Sequence, residues 1–175
     1  MIATTDRFII TELTMDMAQA IHEDSLDTDT RKYLPDEVFE TLSDAQKTIE
    51  FLMSQYGMTK GPLVYAVLRK EDQCCVGYVQ VVPRKDKTWE IGYHIGSRYR
   101  GNGYATNAVR VFLPIMAKTI GTKEIYGICL TDNTASRRVL DKCGFEILSI
   151  GMGDYQGKSR EIVKTRWNVS NETGQ

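Results

Sequence analysis

Residues 89–119 read WEIGYHIGSRYRGNGYATNAVRVFLPIMAKT. Trp89, Ile91, Tyr93 and Ile95 alternate with Glu90, Gly92, His94 and Gly96. A period of two predicts a strand. Further on, Ala105, Ala108, Val109, Phe112 and Met116 recur at helical spacing. Between them lies Ser97-Arg98-Tyr99-Arg100-Gly101-Asn102-Gly103, rich in turn formers and positive charge. A strand therefore runs through a basic, glycine-rich turn into a helix. Free backbone N–H groups and the positive end of the helix dipole meet there, which suits an anion, above all a phosphate.

Two well-known phosphate loops do not fit this turn. A Walker loop needs a lysine where Asn102 stands after Gly96 and Gly101, and a dinucleotide fingerprint needs a glycine where Thr106 stands after Gly101 and Gly103. The string does match R/Q-x-x-G-x-G/A as Arg98-x-x-Gly101-x-Gly103. Without a second motif, the same residues describe a tight turn carrying two solvated arginines.

The rest of the chain bounds what such a turn can serve. Its 175 residues predict one domain, with a core over 6–168 and a polar tail over 169–175. The longest apolar run, Val111 to Ala117, is too short to cross a membrane and contains Pro114. Met1 to Asp6 lacks the pattern of a signal peptide, so a cytoplasmic protein is expected. Cys74, Cys75, Cys129 and Cys143 form no C-x-x-C pair, which predicts reduced thiols, no metal and no disulfide framework. Two glycosylation patterns, at Asn168 and Asn171, read as chance in a polar tail. A pI near 6.1 and no basic stripe argue against nucleic acid. Residues 12–44 carry ten acids and two bases, net −8, against +7 elsewhere. Such a split describes either solvated helix faces or an acidic surface for a cationic partner.

In chain order, strands are expected at 7–13, 63–69, 75–82, 89–96, 124–130, 145–150 and 161–169. Helices are expected at 14–25 with Thr14 as N-cap, after a capping box at Ser43-Asp44-Ala45-Gln46, from Gly103 to Gly121 with a bend at Pro114, and from Asp132 to Lys142. Residues 26–36 read as a loop. The class is α+β, with one mixed, mostly antiparallel sheet of about seven strands and about four helices.

A second motif follows the last crossover: Asn133-Thr134-Ala135-Ser136-Arg137-Arg138-Val139-Leu140-Asp141-Lys142-Cys143-Gly144-Phe145. It resembles the N-x-x-S-x-x-V-L-x-K-x-G-F element of the GCN5-related N-acetyltransferase superfamily, whose pyrophosphate signature is the one at Arg98 to Gly103. With RFIITEL at 7–13 and EIGY at 90–93, the chain is similar to the RimJ/RimL-like branch, which includes ribosomal-protein N-terminal acetyltransferases. The resemblance covers residues 6 to 168 and implies a GNAT-like fold and acetyl-coenzyme A as cosubstrate.

The resemblance also assigns roles. Arg98, Arg100, Gly101, Asn102, Gly103, Tyr104 and Ala105 form the pyrophosphate turn, and the two glycines let phosphate approach the backbone without a Cβ in the way. Strand backbone at Ile95 is freed by a splay from its neighbour and serves the cofactor's amide arm. Asn133 can pair with that arm, cap its own helix, or do both. Glu90 is the candidate base, directly or through a water, against the alternative of a solvated strand-end carboxylate. His94 is a weaker candidate, because the splay could turn it outward. Many superfamily members place an acidic tyrosine four residues after Ser136, but here that position is Leu140. Ser136 is then the candidate acid, or only a contact to the sulfur. Tyr33 and Tyr93 are expected as apolar contacts to the acceptor. Asp24, Asp27, Asp29, Asp36 and Glu37 are expected to form an acidic acceptor wall.

The expected reaction moves an acetyl group to a primary amine, either a protein N-terminus or a small cationic molecule, with the protein a monomer or homodimer. The rivals are a non-catalytic coenzyme A sensor and a nucleotide-binding domain.

Overall fold

The computed structural model describes residues 1–170. The Asn171 glycosylation pattern and the end of the expected tail lie outside them. The strands are β1 (Ala3–Thr4), β2 (Phe8–Glu12), β3 (Leu63–Arg69), β4 (Cys75–Pro83), β5 (Trp89–Ile95), β6 (Glu124–Leu130), β7 (Glu146–Tyr155) and β8 (Lys158–Asn168). The helices are α1 (Ala18–Ser25), α2 (Thr28–Tyr33), α3 (Leu42–Met53), α4 (Tyr104–Ile120) and α5 (Thr134–Lys142). One sheet takes the order β1-β2-β3-β4-β5-β6-β8-β7, and among the described residues only β5 and β6 pair in parallel. This is the expected α+β architecture, with eight strands and five helices among the described residues.

Helices cover both faces, which explains the near-continuous apolar run of β3. Leu63, Tyr65 and Val67 join α4's Ala108, Phe112 and Met116 in the larger core. Val64 and Ala66 face the other way, onto Met17, Ile21 and Ile49 from the amino-terminal helical layer. The long helix α4 runs through Pro114 and ends on Gly121, whose φ of +68° is the left-handed cap expected there.

Several local expectations are corrected. The loop over 26–36 contains α2, because the Asp27 carboxylate accepts from Thr30 N at 3.0 Å and from Thr30 Oγ1 at 2.6 Å. Thr14 makes no side-chain cap; Met15–Met17 is a 3-10 turn that leads into α1. The capping box belongs to Thr41 and Asp44, since Thr41 keeps extended backbone angles while Ser43 already lies in the first turn. The last two strands are longer than expected and join through Gln156 and Gly157, both at positive φ, the geometry of a tight hairpin turn.

The parallel seam places the site. Antiparallel pairing of β5 with β4 runs from Trp89 to Ile95, whereas β5 and β6 share only the pair Glu90–Tyr126. Gly96 N donates to Val76 O, in register with His94–Tyr78, Gly92–Gln80 and Glu90–Val82. Hydrogen-bonded pairs alternate along an antiparallel ladder, so the even residues bond β4. The backbone groups of Tyr93 and Ile95 therefore point towards β6, which has already diverged.

Candidate active site

A cavity of about 690 Å³ fills this splay. It is lined on the α5 side by Asn133, Ala135 and Ser136 and on the opposite side by Thr30, Glu37 and Glu90. Ile95 and Ala105 line it between these two groups.

The turn between β5 and α4 fits an anion. Gly101 and Gly103 both have φ of +77°, which only glycine adopts freely. A Cβ built on Gly101 would meet nothing within 4 Å, so that side of the turn is open. The first bond within α4 is Asn107 N to Gly103 O, leaving the N–H groups of Tyr104, Ala105 and Thr106 ahead of it. Arg7, not anticipated from the sequence, donates from Nη1 to Asn102 O at 2.8 Å and stacks over Tyr104.

The two arginines of the turn are engaged elsewhere. Arg100 donates from Nε to Ile95 O, from Nη1 to Asp29 and from Nη2 to Asp27, each at 3.1 Å. Arg98 lies 3.5 Å from Asp24 on the surface. The signature also fits two residues later, as Arg100-x-x-Gly103-x-Ala105. That frame puts Gly103 on the left-handed N-cap of α4, with Arg100 and Ala105 on the cavity wall. It was visible in the sequence once the first helical residue was known.

On the face towards α2, Glu90, Gly92 and His94 stand beside Val82, Gln80 and Tyr78. Burial pushes the Glu90 carboxyl up to about 7, with the Arg84 charge opposing and the Glu37 charge adding. Glu37 accepts from Tyr78 Oη at 2.6 Å and Gln80 Nε2 at 2.7 Å, and burial raises its carboxyl despite those bonds. Gly92 leaves the room that the Gln80 side chain occupies. His94 is not turned outward: it is 6% exposed and stacks on Tyr78. Its Nε2 lies 2.8 Å from Thr30 Oγ1. Thr30 gives its own hydrogen to Asp27, so His94 is the donor in that pair. Burial holds its imidazole down to about 4, with Arg100 adding to the effect and Asp27 opposing it. His94 is thus a neutral strut, and Glu90 is the group whose protonation changes near neutral pH.

Across the splay, Asn133 caps α5 by accepting from Ser136 N at 3.2 Å, which leaves its amide NH₂ free to donate. Tyr93 Oη lies 2.7 Å from Ser136 Oγ. Tyr93, expected among acceptor contacts, lines the cavity; its ring also packs against the larger core, and its hydroxyl meets Ser136. Tyr33 lines the cavity and reaches Asp132 O at 3.4 Å, with Lys32 over its ring.

The acidic wall also differs from expectation. Asp24, Asp27 and Asp29 are ion-paired with the turn's two arginines, Arg98 and Arg100, which offset two of the segment's eight net negative charges. Asp36 and Glu37 do line the cavity, joined by Asp154 from β7.

A family model described as an acetyltransferase (GNAT) domain matches residues 7–146. A curated relative, the uncharacterized N-acetyltransferase YnaD of Bacillus subtilis (strain 168), is 29% identical over 144 residues, covering 81% of this chain and 80% of YnaD. The microcin C7 self-immunity acetyltransferase MccE, solved with acetyl-CoA and AMP, superposes with a TM-score of 0.81 at 20% identity, covering 94% of each chain. RimL, a ribosomal L7/L12 α-N-protein acetyltransferase solved with coenzyme A, superposes with a TM-score of 0.80 at 15% identity, covering 96% of this chain and 97% of RimL.

Proposed function

The chain belongs to the GNAT family of acetyltransferases, and from that premise we propose that it moves an acetyl group from acetyl-coenzyme A to a primary amine within the cavity of the splay, as one domain over residues 1–175. The observation that carries this reading is the cavity itself. It opens the sheet between β5 and β6 and joins Glu90 on one side to Asn133 and Ser136 on the other.

The turn at Gly101 to Ala105 holds the pyrophosphate on backbone N–H groups at the start of α4. The Tyr93 and Ile95 backbone and the Asn133 amide take the amide arm, which places the thioester in the splay. The acceptor enters from the side of Tyr33, Asp36 and Asp154. An α-amine has a pKa near ~8 and a lysine amine near ~10.4, so a proton must leave before attack. Glu90, held up to about 7 by burial, takes it directly or through a water. The neutral amine nitrogen then bonds the acetyl carbonyl carbon and gives up its second proton to solvent, and the C–S bond breaks with its electron pair on sulfur. The Ser136 hydroxyl faces that sulfur. A primary amine at a protein N-terminus or on a small cationic molecule suits Asp36 and Asp154, which make no ion pair among the described residues.

The test is amine-dependent release of coenzyme A thiol, with product mass, across N-terminal peptides, polyamines and amino acids. The reading requires a product 42 Da heavier with at least one amine class. Binding of acetyl-coenzyme A with no transfer to any of them would make the protein a sensor.

A further inference from the structure

The position four residues after Ser136 is Leu140, a core residue 2% exposed, so no tyrosine reaches the reacting sulfur from α5. A phenol nevertheless meets Ser136 from another element. Tyr93 Oη on β5 lies 2.7 Å from Ser136 Oγ and 3.2 Å from Ser136 O. We propose that Tyr93 is a positioning residue for acetyl transfer, which holds the Ser136 hydroxyl with its hydrogen directed at the departing sulfur. The inference rests on the acetyl-transfer reading and adds a residue to it.

A serine hydroxyl has one hydrogen to give and two lone pairs that accept. In the proposed arrangement the single Tyr93 hydrogen goes to Oγ, the nearer oxygen at 2.7 Å against 3.2 Å for Ser136 O, and the Ser136 hydrogen is then left for the cavity. As the C–S bond breaks, the thiolate draws on that hydrogen and charge gathers on Oγ, where the Tyr93 O–H already points. Each bond in such a chain strengthens the next. No proton needs to leave either hydroxyl: a thiolate of pKa near ~8.5 departs as the anion, stabilised by the chain, and is protonated later by solvent. Burial pushes the Tyr93 phenol well above its usual value, so it remains a donor at every working pH. Cys129 also lines the cavity beside Ser136, and burial raises its thiol. A neutral thiol is a weak acceptor and competes poorly for the Ser136 hydrogen.

The experiment is a double-mutant cycle on kcat with Tyr93→Phe and Ser136→Ala, together with acceptor KM and coenzyme A Kd for each variant. Tyr93→Phe is expected to lower kcat about tenfold, the effect of one transition-state hydrogen bond, with KM and Kd within about twofold. In the Ser136→Ala background it should lower kcat by less than about twofold, since its partner is already gone. Wild-type kcat in Tyr93→Phe, or an equal loss in both backgrounds, overturns the inference while leaving acetyl transfer intact. A wild-type protein that transfers to no amine overturns the reading beneath it, and the inference with it.

Discussion

Glu90 on β5 stands in register with Tyr126 on β6, the single parallel pair between these strands among the described residues. The proposed base is therefore rooted where the sheet is still continuous, and the cavity opens from there towards Ile95. Its carboxylate is carried by a strand bonded to β4 along its whole length, which fixes its position better than a loop would.

Gly103 tests the anion turn. Its φ is +77°, and a built Cβ would meet only Asn107 at 3.6 Å and Arg7 at 4.0 Å. The cost of a side chain is thus conformational rather than steric, about 1–2 kcal/mol, and greater for a β-branched residue. Gly103→Val should lose that stability in denaturant unfolding and weaken coenzyme A binding at least tenfold by calorimetry. Unchanged affinity in the folded variant would remove the turn from the cofactor site.

His94 should govern acid stability and leave the catalytic pH profile alone. Its imidazole titrates at about 4 when folded, below the unfolded value of 6.5. The unfolded chain binds the proton first, so this contribution is present above pH 6.5 and is lost as pH falls towards 4, roughly 2–3 kcal/mol in all. The stability gap between wild type and His94→Gln should narrow from pH 7 to 4.5 in urea titrations. The inflection in rate near pH 7 should persist in the variant. Parallel stability curves would count against a neutral buried His94.

The acceptor's charge is read best at Asp36 and Asp154. Asp27 and Asp29 are unsuited to this test, because they hold Arg100 and, at Asp27, the cap of α2. Neutralising Asp36 and Asp154 to Asn should raise KM for a cationic amine several-fold and flatten its salt dependence. Identical KM and salt slope would leave these acids as solvated surface.

Much of this was legible from residue order. The change of period from two to 3.6 around Gly101 and Gly103 placed β5 and α4, and strand parity put Glu90 and His94 on one face. What was not legible depends on partners far along the chain. The segment Asp27-Thr28-Asp29-Thr30 shows no apolar period, and α2 is held partly by Arg100, 73 residues from Asp27. The same pairing turns Arg100 back towards α2, which a local motif cannot show. The strand pattern could not show that the Tyr93 hydroxyl meets Ser136, 43 residues on. The exposed β7, with Ile147, Ile150 and Met152 on its surface, lacks the burial contrast that reveals a strand's length.

Glu90 also has a stability signature. Its folded value of about 7 lies above the usual 4.5, so its favourable contribution is present below pH 4.5 and is lost as pH rises through 7. Glu90→Gln should therefore be more stable than wild type at pH 8, by about 1–3 kcal/mol, with the difference fading at pH 5. Equal stability at pH 8 would mean the carboxylate is well solvated.

The most direct measurement of the central claim is kcat/KM for the acceptor amine against pH, in wild type and Glu90→Gln. Wild type should rise through an inflection near 7, as the Glu90 carboxyl ionises, in addition to the amine's own titration. Glu90→Gln should lose that inflection and fall about 10²-fold at pH 7, with the deficit shrinking as the amine deprotonates unaided and with coenzyme A affinity unchanged. A variant with the wild-type rate and the wild-type profile would contradict proton abstraction by Glu90 in this cavity.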